Sequence, residues 1–150
     1  MSVHELRRDQ VVERPLDEVF DFFSRASNLE RLTPSLMHFQ MVTPEPIEMT
    51  TGTLIEYRLR VHGAPIRWIS RIEEWEVGSH FVDRQIKGPY KLWLHRHDFE
   101  EVDEGTRVSD HVRYELPFGP VGELAGLWLV RRDLDRIFDF RREAVTTQLG

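Results

Sequence analysis

The stretch FVDRQIKGPYKLWLHRHDFE, residues 81–100, decides how this chain folds. Gly88-Pro89 breaks it in the middle as a turn does, and the returning flank alternates in character. There Trp93, His95, His97 and Phe99 share one face, while Leu92, Leu94, Arg96 and Asp98 share the other. That two-residue period predicts an antiparallel hairpin. If the aromatic face is the inner one, its two imidazoles need partners, because a buried polar group left without a hydrogen bond costs about 1–3 kcal/mol. An interior that is part aromatic and part imidazole is expected to surround a ligand rather than to fill a solid core.

The same period extends on both sides. In Thr53–His62, Ile55, Tyr57, Leu59 and Val61 alternate with charged and polar residues. After Gly63-Ala-Pro65, Ile66, Trp68, Ser70 and Ile72 alternate with Arg67, Ile69, Arg71 and Glu73. In Thr106–Leu116, Val108, Asp110, Val112 and Tyr114 face away from Arg107, Ser109, His111 and Arg113. Toward the start, residues 3–13 form an expected first strand that Pro15 ends. Leu16, Val19, Phe20 and Phe23 then trace one helical stripe. Ser27 or Asn28 is placed to cap a second short helix carrying Leu29 and Leu32, which stops before Pro34, and Phe39–Val42 reads as a short strand. Beyond Pro117-Phe-Gly-Pro120 the period becomes 3.6. Leu124, Leu127, Trp128, Arg131, Leu134, Ile137, Phe138 and Arg141 mark one face of a helix of about 25 residues. The expected fold is α+β: a curved antiparallel sheet wrapped around a long C-terminal helix, with two short helices after the first strand.

Bulk properties narrow the function classes. At 150 residues with 40% hydrophobic and 31% charged residues, the chain is expected to form one globular domain over residues 1–150. A net charge of −6 argues against non-specific attraction to nucleic acid or an anionic membrane surface. Cysteine is absent, which removes thiolate chemistry. No signal-peptide pattern and no apolar run near the roughly 20 residues of a membrane span is present, so a cytoplasmic protein without membrane insertion is expected. Neither GxGxxG, nor a Walker loop, nor a hydrolase Ser-His-Asp motif occurs.

The order of elements, together with PLDEVFDFFSRASNLERLTP, WISRIEEW, FVDRQIKGPYKLWLHRHDFE and DHVRYELPFGPVG, resembles the START-like superfamily, also called SRPBCC. This superfamily includes birch-allergen-like proteins and aromatic polyketide cyclases. The similarity runs from about Val12 to Arg141, and GPYKLWLHRHDFE followed by RYELPFGPVG is similar to a bacterial cyclase/dehydrase subgroup. The resemblance implies a helix-grip fold with a cavity between sheet and helix. It also implies a candidate partner, since related domains occur beside or fused to epimerase-like proteins. It does not imply a reaction, because carriers, sensors and enzymes share this scaffold.

Turn geometry gives the register. A loop over Val102–Gly105 that sets Phe99 opposite Val108 also sets His97 opposite Asp110, His95 opposite Val112 and Trp93 opposite Tyr114. A three-residue loop at Gly88-Pro89 would place Gln85 opposite Trp93 and Asp83 opposite His95. The expected site is therefore Asp83, Gln85, His95, His97 and Asp110, walled by Tyr57, Trp68, Trp93 and Tyr114. Three roles compete for it. It is a register-fixing polar network, the polar end of a cavity for a small hydrophobic or aromatic molecule, or a His–Asp general base for cyclisation or dehydration. No cofactor is expected. A metal is not expected either: His95-x-His97 is legitimate ligand spacing, but imidazoles that donate to carboxylates keep one nitrogen each. His4, His38, His62, His80 and His111 are expected to be exposed, and Trp68 rather than Trp75 to face the cavity, because the two differ in parity. Leu36, Met37 and Met49 are the surface candidates for a protein partner.

Overall fold

The structure is a computed structural model and describes residues 3–149. β1 (His4–Val12) leads into α1 (Leu16–Phe23), two 3₁₀ turns (Ala26–Glu30 and Ser35–Met37) and a two-residue β2 (Gln40–Met41). Then follow β3 (Leu54–Val61), β4 (Ala64–Glu76), β5 (His80–Lys87), β6 (Leu92–Val102), β7 (Gly105–Glu115) and α2 (Gly119–Leu149). The seven strands form one antiparallel sheet in the order β1-β7-β6-β5-β4-β3-β2. Five consecutive hairpin-linked strands make its body, and β1 returns to pair with β7 at one edge. α2 lies across the concave face.

Two apolar clusters join these layers. At one end Val19, Phe20 and Phe23 of α1 meet Phe81, Phe99, Val108 and Val145. Phe20 stands edge-on to Phe81 and Phe99, the preferred arrangement for packed rings. At the other end Trp68, Trp93, Val112 and Tyr114 meet Leu134 and Phe138 of α2. The polar residues of β5–β7 lie between the two clusters.

The β6–β7 register is the expected one, with Phe99 opposite Val108, His97 opposite Asp110, His95 opposite Val112 and Trp93 opposite Tyr114. Asp83 lies opposite His95, also as expected. Several elements differ from the sequence reading. The second short helix is a 3₁₀ turn preceded by Arg25, with no side-chain cap. Asn28 instead donates its side-chain amide back to the Phe22 carbonyl at 2.8 Å, closing the end of α1. Trp68 lines the cavity and Trp75 does not, as expected, although β4 slips register between Ile72 and Glu74. This bulge turns Trp75 to the inner face, where it stacks on Phe81 at 5.0 Å. α2 has 31 residues, and the buried ones are Leu134, Phe138, Arg141 and Val145. Leu124 (92% exposed) and Trp128 (74%) face away from the core, so in the first turns only Leu127 of the expected stripe packs against the apolar cluster. His4 and His111 are half-buried rather than exposed, each bound to a glutamate: His4 to Glu123 at 2.6 Å and His111 to Glu5 at 2.9 Å. His80 is half-buried as well.

Candidate ligand-binding site

Between sheet and α2 lies a cavity of about 640 Å³, inside the roughly 300–1,000 Å³ range of small-molecule sites. Its walls are mostly apolar. Tyr57 and Trp68 stack at 6.0 Å, Trp93 meets Trp68 edge-on at 5.5 Å, and Ile66, Leu134 and Phe138 complete the enclosure. Tyr90, from the β5–β6 loop, adds a further ring 4.8 Å from Trp93. Ser70 accepts a hydrogen bond from Trp68 Nε1 at 2.9 Å, so the buried indole is satisfied.

One end of the cavity is polar, made by Asp83, His95, His97 and Arg141. The alternation of β6 aims both imidazoles inward, and they stack with ring centroids 3.6 Å apart. Phe81 covers the far side of His97 at 4.1 Å. Their hydrogen bonds cross the register. His97 Nε2–H donates to Asp83 and His95 Nε2–H donates to Asp110, each at 2.7 Å, although Asp83 stands opposite His95 and Asp110 opposite His97. Diagonal positions across a ladder are roughly 7–8 Å apart, which suits an imidazole reaching a carboxylate better than the shorter gap directly across.

The charges follow from this wiring. Burial raises the Asp83 carboxyl, but the His97 hydrogen bond, with Arg141 contributing, outweighs it and holds the group below the usual carboxylate range. Asp110 is lowered further: burial again opposes ionisation, and the Arg141 guanidinium and the His95 hydrogen bond overcome it. His97 is lowered to about 4, mainly by burial and secondly by the adjacent His95. Burial pushes the Tyr57 phenol up, and Asp83 adds to the effect. The polar end thus holds two carboxylates, one guanidinium and a neutral His97. Among the described residues, His97 Nδ1 is buried without a hydrogen-bond partner, 3.6 Å from Asp110. Asp83, His95 and His97 also bring donor atoms within 4.8 Å of one another.

Of the nine expected site residues, Tyr57, Trp68, Asp83, Trp93, His95 and His97 line the cavity. Asp110 does not line it and acts from behind His95. Tyr114 is buried beside Trp93 and His4. Gln85 is a loop clamp: the β5–β6 ladder ends at Arg84–Leu94, and Gln85 donates to the Tyr90 carbonyl at 2.6 Å and accepts from its N–H at 3.1 Å. Met37 and Met49 are half-buried and line the cavity instead of the surface, whereas Leu36 is exposed. The residue that sequence reasoning missed is Arg141. Its signal was a charged side chain on the same helical stripe as Leu134 and Phe138, which reads equally well as macrodipole complementarity.

Known proteins place this geometry. The family model described as polyketide cyclase / dehydrase and lipid transport matches residues 3–146. No curated protein matches the chain. Among solved structures, a Thermus thermophilus protein is 21% identical with a TM-score of 0.71, covering 97% of each chain. The di-domain ARO/CYC StfQ of the steffimycin biosynthetic pathway is 13% identical with a TM-score of 0.75, over 98% of this chain and 51% of its own. A nucleoside-diphosphate sugar epimerase from Corynebacterium glutamicum is 24% identical with a TM-score of 0.69, over 96% of this chain and 29% of its own. At these identities the three likenesses speak to fold alone.

Proposed function

We propose that this chain, which belongs to the polyketide cyclase/dehydrase and lipid transport family within the START-like superfamily, binds a small hydrophobic or aromatic molecule. The observation that carries the reading is the cavity of about 640 Å³, walled by Tyr57, Trp68, Trp93 and Phe138 and polar at one end. Apolar walls supply affinity at roughly 25 cal/mol per Å² of surface removed from water, and the few polar groups orient the guest. Native mass spectrometry of freshly purified protein, followed by denaturing extraction, tests it directly. A co-purified apolar adduct, or calorimetric binding of an aromatic probe such as 2-ethylnaphthalene, is the expected result. A clean apo mass together with no heat for any probe would sink the proposal.

A second reading rests on the His95–Asp110 hydrogen bond of 2.7 Å. A carboxylate on Nε2–H fixes the tautomer that leaves Nδ1 unprotonated, the arrangement of a general base for aldol-type cyclisation or dehydration. On this reading His95→Asn loses turnover of a poly-β-carbonyl substrate while probe binding survives. Loss of both with an intact fold would return His95 to a purely binding role.

A partner reading attaches to another surface. An epimerase-like protein would meet the exposed apolar start of α2, at Val121, Leu124 and Trp128, with Leu36.

A further inference from the structure

Arg141 sits on α2 with its side chain only 10% exposed, and it lines the cavity. A guanidinium carries five N–H donors, yet none makes a hydrogen bond among the described residues. Its contacts are an ion pair with Asp110 at 3.5 Å and the faces of Phe23 and Phe138, at 5.3 and 5.9 Å from its centre. Those rings hold the guanidinium plane and offer it no acceptor. A charged donor set buried to this degree calls for acceptors, and the open side of Arg141 is the cavity.

The ion pair decides what kind of acceptor fits. Asp110 is ionised and stands against both Arg141 and His95, so the positive charge is already met from behind. Asp83, also lowered in pKa, adds a second negative charge on the cavity side. With His97 neutral, the two carboxylates outnumber the one guanidinium at the polar end. The other charged residues lining the cavity are committed elsewhere: Arg25 to Asp21 at 3.3 Å and Asp133 to His62 at 2.7 Å. A carboxylate guest would bring a further negative charge into a low-dielectric end that has no free cation for it among the described residues. A neutral carbonyl brings the acceptor without the charge.

The geometry points to Arg141 as the specificity-determining residue of the cavity, donating to a neutral carbonyl-type oxygen on the guest and selecting against carboxylates. This rests on the ligand-binding reading above. It assigns the guest's chemistry as an apolar or aromatic skeleton with an uncharged C=O that enters facing α2.

Three probes on one skeleton test it at neutral pH by calorimetry: 2-ethylnaphthalene (no polar head), 2-acetylnaphthalene (neutral acceptor) and 2-naphthoate (anion). The acetyl compound is expected to bind about tenfold tighter than the ethyl compound, the size of one hydrogen bond to a charged donor, and at least tenfold tighter than the naphthoate. Arg141→Met, which keeps an apolar side chain of similar length, should bring the acetyl-to-ethyl ratio to about one. Asp110→Asn leaves the guanidinium uncompensated and should tighten naphthoate about tenfold relative to the ethyl compound. If Arg141→Met does not fold, the Asp110→Asn comparison decides alone. Tightest binding of naphthoate to the wild type, equal binding of acetyl and ethyl compounds, or an unchanged naphthoate ratio in Asp110→Asn would each overturn this inference while leaving the cavity reading intact. Failure of all three probes to bind would overturn both.

Discussion

His97, held between the Phe81 and His95 rings, takes up a proton only near pH 4 because burial disfavours its charged form. In the unfolded chain the same group titrates near its ordinary 6.5, so acid favours the unfolded state over the interval between. The stability this position contributes is fully present above pH 6.5 and is lost as pH falls toward 4. Asp83 and Asp110 act in the same direction lower down: both are depressed when folded, so their contribution is present above the ordinary carboxylate range and is lost as pH falls through their folded values. Urea midpoints should therefore plateau above about pH 7 and fall from pH 6.5 downward, with about 3 kcal/mol lost to the His97 proton by pH 4. His97→Gln should flatten the 6.5-to-4 segment whatever its effect on absolute stability; an unchanged slope would place the acid response elsewhere.

At the scale of elements, the junction of β7 and α2 depends on Gly122. A Cβ at this position would run into the backbone carbonyl of Pro117, and the Gly122 N–H donates to the Phe118 carbonyl at 3.3 Å. Alanine gains about 1 kcal/mol of helix propensity, but overpacking against a backbone atom costs about 1–3 kcal/mol, so Gly122→Ala is expected to be net destabilising. Thermal unfolding checks the sign. The elements also show where the sequence was transparent. Alternation gave β3, β6 and β7 and the Trp93–Tyr114 register because a one-residue slip moves a whole buried face into water. It failed at β4, where one extra residue past Ile72 resets parity, and no local residue type announces that bulge. It also failed for the crossed His–Asp bonds, since backbone register does not fix which diagonal a long side chain takes. On α2 periodicity identified the buried face from Leu134 onward but not which early positions pack, which left Leu124 and Trp128 misplaced.

For the molecule as a whole, the cavity is apolar area left unpacked, and filling it should stabilise the fold at the expense of its capacity. Gly126 lies on α2 against the cavity, and a Cβ there meets only Leu116 Cδ1 at 3.9 Å. Gly126→Leu adds both helix propensity and buried apolar surface, so a gain of about 1–2 kcal/mol is expected. The same change should weaken 2-ethylnaphthalene binding at least tenfold. Greater stability with undiminished binding would mean that guests lodge away from Gly126.

The aromatic column has an optical consequence. Trp75 stacks on Phe81, Phe81 on His97 and His97 on His95, while the Trp93 indole lies 6.4 Å from the His95 ring. A protonated imidazole quenches indole emission at short range, so Trp93, separated from His97 by one ring, is an unlabelled fluorophore reporting the His97 proton. Acidification of the folded protein toward pH 4 should dim its emission, Trp93→Phe should remove most of that response, and a guest that shields His97 from protons should preserve the emission.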